Sequence, residues 1–270
     1  MIVVTGATGN IGRPLIERLS AAAPVRALSR RPRESTDRVT YIEADLGDPA
    51  DLKSAFAGAD KLFLLTPGPQ FDLPAIVDVA EGSGIERIVL VTSQRVESRP
   101  EEGLEAMERP ITESGLDWTV LRPSGFASNA LMWAESVRTG RSITAPFGDV
   151  GLPVIDPADI AAVAAAALTE DGHSGKTYTL TGPELVTPAE QAATIGAALG
   201  EPVEFIEQSR EEAFAALTRL WPAEVVEGIL RTLGEPNRIE RTVSSAVATV
   251  TGRPARTFAA WAERHAAAFR

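Results

Sequence analysis

The sequence predicts an α/β fold in which helices cover both faces of a parallel sheet, and three observations carry that prediction. Short apolar runs of strand length, such as Ile2–Val4, Lys61–Leu65 and Arg87–Thr92, alternate with stretches of helical periodicity. Lys61–Leu65 is apolar at every position after its first, as a strand buried on both faces requires. The first run is followed by Gly6, Gly9 and Gly12 at three-residue spacing, and a helical pattern (Leu15, Ile16, Leu19) begins immediately after them.

That opening reads as strand, tight turn and helix. Gly6 permits the turn, Gly9 leaves room for a pyrophosphate to approach the backbone, and Gly12 lets the helix sit close to the strand, with Thr8, Asn10 and Ile11 completing the loop. The first N–H groups of a helix have no intrahelical partners, and its dipole adds partial positive charge there, so an anion is stabilised without a basic side chain. An ordinary strand-to-helix turn would also use glycine. The position on the first strand, the spacing, and a second strand one helix length later favour dinucleotide binding.

The stretch Thr5-Gly-Ala-Thr-Gly-Asn-Ile-Gly12 resembles the opening of the short-chain dehydrogenase/reductase superfamily, specifically its atypical NmrA-like NAD(P)-binding branch, and the resemblance runs nearly end to end. That branch includes NADPH-dependent quinone and triphenylmethane-type reductases. The resemblance implies a doubly wound Rossmann fold with a small C-terminal substrate lobe. On that basis residues 1–182 are expected to form the NADP-binding domain, with rim segments from 124–156; residues 183–250 a substrate or lid lobe; and 251–270 a closing helix.

In order, Val25–Ser29 is the second strand, and it ends in Arg30-Arg31-Pro32-Arg33 rather than in an acidic residue. A carboxylate at that point accepts from the 2′-hydroxyl of NAD, whereas arginine pairs with the 2′-phosphate of NADP, so the cofactor is expected to be NADP(H), with Arg30 and Arg31 as its contacts. A solvated basic loop is the alternative. Val39–Ala44 is the third strand, and Asp48-Pro49 caps the helix after it. The resemblance sets Asp45 and Leu46 against the adenine, while a loop cap would equally explain Asp45. Lys61–Leu65 is the fourth strand. Thr66 and Pro67 follow in a stiff loop at the carboxyl end of the sheet, where doubly wound folds bind ligands.

A helix from Leu73 leads to the fifth strand, Arg87–Thr92, and to Ser93. The resemblance makes Ser93 a residue that orients a substrate carbonyl; a strand-end hydroxyl in a local hydrogen bond is the other reading. Tyr-x-x-x-Lys, the pair short-chain reductases usually carry on the next helix, is missing. The two tyrosines are Tyr41 and Tyr178 and the lysines are Lys53, Lys61 and Lys176, and alignment puts Pro100 and Leu104 where the pair would stand. Trp118–Arg122 is the sixth strand. Pro123 and Phe126 then fall where the family brings backbone against the nicotinamide. Asn129 and Trp133, one helical turn apart, are expected to share a face toward the substrate, Trp133 having core packing as its alternative. Arg141–Val154 reads as short strands rimming the site, Asp156 and Asp159 cap an alanine-rich helix (Ile160–Leu168), and Thr177–Thr181 is the seventh strand. Beyond Gly182, capped helices start at Thr187 and Ser209, Pro202–Ile206 is a short strand, and Pro222 restarts a helix. The apolar faces from Phe214 to Leu230, with Trp221, read as a lid over the substrate pocket or as plain core.

Composition bounds the partners. With 270 residues and 44% hydrophobic content the chain can bury a sizeable core. It has no cysteine, which excludes disulfides, thiolate metal sites and a cysteine nucleophile and suits a reducing, cytoplasmic setting. No run is long enough to span a bilayer, and the N-terminal run is too short for a signal peptide. A net charge of −11 and a pI near 4.8 argue against duplex DNA and anionic membranes. His173 and His265 lie far apart and read as surface residues, so no metal site is expected. The leading expectation is an NADPH-dependent reductase of a small conjugated (quinone-, enone- or imine-like) substrate. The alternative is a non-catalytic NADP-binding sensor acting through a protein partner, and either could be a homo-oligomer.

Overall fold

The computed structural model describes residues 1–31, 33–66 and 71–270. In chain order the elements begin β1 (Ile2–Val4), α1 (Gly12–Ser20), β2 (Val25–Ser29), β3 (Val39–Glu43), α2 (Pro49–Phe56), β4 (Lys61–Leu65), α3 (Leu73–Gly82) and β5 (Arg87–Val91). Then come α4 (Arg95–Ser98), α5 (Arg109–Thr112), β6 (Asp117–Pro123), α6 (Ala134–Gly140), β7 (Ser142–Ala145), α7 (Pro157–Thr169) and β8 (Lys176–Leu180). The chain closes with α8 (Pro188–Leu199), β9 (Glu204–Glu207), α9 (Arg210–Leu217), α10 (Ala223–Gly234), α11 (Ala246–Thr251) and α12 (Phe258–His265).

Two compact units arise from this chain, and the first comprises Met1–Pro123, Pro157–Leu180 and Ala246–Arg253. Its sheet has seven strands in the order β3-β2-β1-β4-β5-β6-β8, every pair parallel. Strand order reverses between β1 and β4. Val3, Val4, Leu62, Phe63, Leu64, Ile88, Val89 and Leu90 are fully buried, which explains why these strands are apolar throughout. Asp48 and Asp72 cap α2 and α3 through the N–H groups of Ala50 (2.8 Å) and Ala75 (3.0 Å), each with a proline in the first turn. In α7, Ala161, Ala164 and Ala167 are wholly buried, and such small side chains let this helix lie close against α1 and the sheet. Both acids expected as caps of α7 are held in ion pairs: Asp159, fully buried, meets Arg253 at 2.8 Å, and Asp156 meets Arg264.

The second unit comprises Ser124–Asp156, Thr181–Ser245 and Pro254–Arg270. Its core gathers on Trp261, Phe258 and Phe269 with Val137, Ile143 and Ile195, and β7 pairs in parallel with β9. Reciprocal capping boxes start α8 (Thr187 with Glu190) and α9 (Ser209 with Glu212), as their sequences require. The boundaries differ from those expected. Residues 124–156 belong to this unit, because Phe126 bridges to Ile155 and Leu152 to Val186, and α12 packs on α8 instead of standing apart. Helix α11 was not foreseen, its six residues being too few to show periodicity. No helix among the described residues is long and apolar enough to cross a membrane.

Candidate functional site

The strand order reverses at β1 and β4, and the carboxyl ends of the strands at such a reversal are the usual ligand position in sheets of this kind. Thr5 locks the two ends together: its hydroxyl accepts from the Leu65 N–H (2.8 Å) and donates to the Leu65 carbonyl (3.1 Å). Thr66, next on β4, is buried. Gly6 then turns the chain at φ +59°, and the Gly9 N–H closes the turn on the Gly6 carbonyl at 2.9 Å. A β-carbon on Gly12 would lie 2.8 Å from Ala7 Cα and nearer still to the Gly6 carbonyl oxygen, so only glycine fits there. On Gly9 it would meet only that carbonyl, at 3.2 Å, and Gly9 is exposed.

The donors left over define what the loop can hold. Arg13 N–H is taken by the Gly9 carbonyl (3.2 Å) and Leu15 N–H by that of Ile11 (3.1 Å), Pro14 has none, and those of Ile11 and Gly12 meet no acceptor among the described residues. Ile11 buries its side chain, so it can offer a ligand only that N–H. Thr8 is half-buried and Asn10 exposed. With the α1 dipole behind them, these groups have the donors and the partial positive charge that a phosphate needs.

At the end of β2, Ser29 accepts from the Arg31 N–H (3.3 Å), and Arg30, Arg31 and Arg33 are exposed; Pro32 lies outside the described residues. Asp45 does act as a local cap: one carboxylate oxygen accepts from Gly47 N–H at 2.8 Å, while the other has no partner among the described residues. Leu46 packs on the core beneath it. Pro67 lies outside the described residues.

Beyond β5, the Ser93 hydroxyl accepts from the Arg95 N–H at 3.2 Å, so it closes a local turn. Thr92 N–H to Leu121 carbonyl and Gln94 N–H to Pro123 carbonyl, both 2.9 Å, carry the β5–β6 pairing past the ends of the strands. Under them lies an ion pair that sequence reading missed. Glu108 is buried, takes both Arg122 Nε (2.9 Å) and Nη2 (2.6 Å), and accepts the Thr92 hydroxyl at 2.7 Å. The hydrogen bond that Arg122 donates to Glu108 raises the Arg122 pKa against the opposing effect of burial. Fourteen residues of sequence separate the partners, beyond the reach of any periodicity signal. The segment where short-chain reductases usually carry Tyr-x-x-x-Lys on a helix is here a set of short turns: α4, 3₁₀ turns at Pro100–Glu102 and Leu104–Met107 separated by Gly103 at φ +65°, then α5. Prolines at 100 and 110 and that glycine account for the breaks.

In the second unit, Ala127–Trp133 is a 3₁₀ helix, not an α-helix. At about 120° per residue, Asn129 and Trp133 lie about a third of a turn apart, so the shared face expected of them does not form. Asn129 is exposed, and Trp133 packs on the core of its unit. Phe126 is half-buried at its bridge to Ile155. Ala213, Val226 and Leu230 of α9 and α10 form a small core with Phe147, whereas Leu220, Trp221 and Val225 are exposed. Both histidines have structural partners. His173 Nδ1 is 2.9 Å from the Tyr178 hydroxyl, and burial lowers the His173 pKa; the His265 ring stacks on Trp261. Among the described residues no cluster of His, Cys, Asp and Glu could hold a metal.

Residues 6–171 match the family described as NAD(P)H-binding. A (4-alkanoyl-5-oxo-2,5-dihydrofuran-3-yl)methyl phosphate reductase of Streptomyces griseus is 39% identical over 280 residues, covering 100% of this chain and 99% of its own. An NAD(P)H azoreductase of Xenophilus azovorans is 35% identical over 286 residues, with the same coverage of 100% and 99%. The NADPH-dependent quinone oxidoreductase QOR2 of Escherichia coli, solved with NADPH bound, superposes with a TM-score of 0.80 at 26% identity, covering 98% of this chain and 99% of that one.

Proposed function

The chain belongs to the NAD(P)H-binding family, and on that premise we propose that it is an NADPH-dependent reductase of small conjugated acceptors. The observation that carries the reading is the phosphate cradle at the sheet reversal, combined with a sequence that holds no Tyr-x-x-x-Lys. The cradle fits the cofactor on its own geometry, through two N–H groups without a partner among the described residues, an open approach at Gly9 and no space for a side chain at Gly12. Ile11 and Gly12 bind the pyrophosphate, Arg30 and Arg31 the 2′-phosphate, and Asp45 the adenine amino group. Ser93 and Pro123 border the nicotinamide end. Phe126, Asn129, Trp133 and Trp221 are the proposed contacts of the acceptor.

The bound cofactor supplies hydride. An isolated ketone receiving hydride becomes a strongly basic alkoxide and needs a positioned acid, whereas a quinone gives a phenolate-like oxygen whose conjugate acid has a pKa of about 10, and an enone gives a delocalised enolate. Water can deliver a proton to either. The residues present therefore suit acceptors that stabilise their own charge, and the protein's work is orientation. The relatives support this substrate class: the named substrate of the Streptomyces griseus reductase carries a carbon–carbon double bond beside two carbonyl groups, and quinones and azo compounds are conjugated in the same sense.

The test is NADPH consumption by purified protein over a panel of quinone, acyl dihydrofuranone, imine and azo acceptors, with a simple ketone as the negative arm. Turnover of a conjugated member without the ketone is expected. Consumption at background across the whole panel would refute the enzyme and leave the cofactor-responsive sensor, whose mark is a stoichiometric protein partner released by NADP.

A further inference from the structure

We propose that Arg13 is a further determinant of cofactor choice, gripping the adenosine 2′-phosphate from the glycine-loop side while Arg30 and Arg31 approach it from the end of β2. The proposal rests on the NADP(H) reading above and adds a residue to it. Arg13 is the second residue of α1, and its backbone N–H is spent on Gly9. Its side chain folds back over the loop, and Nε donates to the Thr8 carbonyl at 2.8 Å. That bond fixes the guanidinium plane beside Thr8 and leaves both Nη groups, on an exposed residue, without an acceptor among the described residues.

The position beside Thr8 decides which phosphate it serves. Ala7, the neighbour of Thr8, donates its N–H to the Leu28 carbonyl at 3.4 Å, which holds this part of the loop against β2 two residues before Arg30. The pyrophosphate cradle lies further along, at Ile11 and Gly12. Arg13 is thus drawn away from the cradle and toward the strand end that carries Arg30 and Arg31. No acid stands in the first turn of α1 to neutralise it. In a chain of net charge −11, cationic groups converging on one loop from two elements form a local site for a dianion. A guanidinium anchored through Nε has its remaining donors preorganised, and lysine could not copy that fork.

Calorimetric titration with NADPH, NADH, adenosine 2′,5′-bisphosphate and 5′-ADP, on wild type, Arg13→Ala and Arg13→Lys, tests the assignment. Arg13→Ala should weaken NADPH and the 2′,5′-bisphosphate about tenfold or more and leave NADH and 5′-ADP within about twofold. Arg13→Lys should fall between wild type and alanine, which separates lost charge from lost geometry. Equal weakening of NADPH and NADH would move Arg13 to the pyrophosphate and overturn the proposal. An unchanged NADPH affinity in Arg13→Ala would reduce the residue to a clasp on the loop. Equal affinities in wild type would instead remove the 2′-phosphate site altogether, Arg30 and Arg31 included, so failure of the underlying reading shows in the wild-type arm alone.

Discussion

Glu108→Ala should destabilise the protein by about 3 kcal/mol, and the figure follows from what the carboxylate holds. Its oxygens accept three hydrogen bonds: two from Arg122, at 2.6 and 2.9 Å, and one from Thr92, at 2.7 Å. Removing one partner of a buried ion pair costs about 3–5 kcal/mol, because the remaining charge is stranded. The Arg122 side chain keeps 21% of its exposure and can recruit water, which sets the loss at the lower end; the orphaned Thr92 hydroxyl adds up to about 1 kcal/mol where water does not reach it. Glu108→Gln keeps the volume and one acceptor oxygen and should lose roughly half as much. Arg122→Met in the alanine background should then cost much less than in wild type, since the charge it removes is already unpaired. Urea unfolding of wild type, Glu108→Ala, Glu108→Gln, Arg122→Met and the double variant measures all of this through midpoints and slopes. A Glu108→Ala change under about 0.5 kcal/mol, the range of a neutral surface substitution, would refute the reasoning, as would coupling near zero.

The glycines of the loop should separate by role. Gly12→Ala drives a β-carbon into the Gly6–Ala7 backbone and should cost stability by about 1–3 kcal/mol together with cofactor binding, whereas Gly9→Ala should unfold within about 1 kcal/mol of wild type yet lose NADPH by more than about tenfold. Matched thermal unfolding and titration decide this, and a Gly9→Ala variant that binds normally would contradict the assigned approach path. Burial lowers the His173 pKa in the folded state. The stability held by the neutral ring is therefore complete above the unfolded value of about 6.5 and declines as pH falls below it. Unfolding measured at about pH 7.5 and pH 5.5 should show a smaller loss in His173→Phe than in wild type. Pro100→Tyr with Leu104→Lys should confer no ketone reduction, because positions 100 and 104 lie in separate 3₁₀ turns with Gly103 at φ +65° between them; measurable turnover of a simple ketone would show that the pair can assemble there.

Most of the first unit was legible because its signals are local. Continuous apolar runs, Asp-Pro caps and the glycine spacing each act within a few residues, and every strand of the seven-stranded sheet falls within a residue or two of its expected position. Signals that need distant partners were not legible. Glu108 closes an acidic stretch that also holds Glu101, Glu102 and Glu105, and nothing local marks it as the one carboxylate that turns inward to Arg122. The pairing of Asp156 and Asp159 with arginines near the C-terminus is invisible for the same reason, and cap chemistry was the natural local substitute. The shared face expected of Asn129 and Trp133 was illegible for a different reason. A four-residue spacing means one face only in an α-helix, and seven residues ending at the start of α6 carry no sequence mark that distinguishes a 3₁₀ turn. Arg13 had a visible signal, a basic residue directly after the third glycine. What could not be seen was the Thr8 carbonyl that holds its side chain on the loop.

The Glu108 pair also bears on how a sheet end can be ordered without the helix that usually covers it. A Tyr-x-x-x-Lys pair needs both residues on one face of an unbroken α-helix, and Pro100, Gly103 and Pro110 deny this segment such a helix. Four short turns pack less backbone into regular hydrogen bonding, so they need another fastening. Glu108, donated by the last of these bends before α5, supplies it by holding Thr92 at the end of β5 and Arg122 near the end of β6. Those are the residues immediately before Ser93 and Pro123. The buried carboxylate thus fixes the spacing of the two strand ends that border the proposed nicotinamide position, and it does so while accepting from three donors. A buried carboxylate shared among three donors is placed to hold geometry rather than to take a substrate proton. The proton for the proposed reduction is left to water, and with it the restriction to acceptors that can carry their own charge.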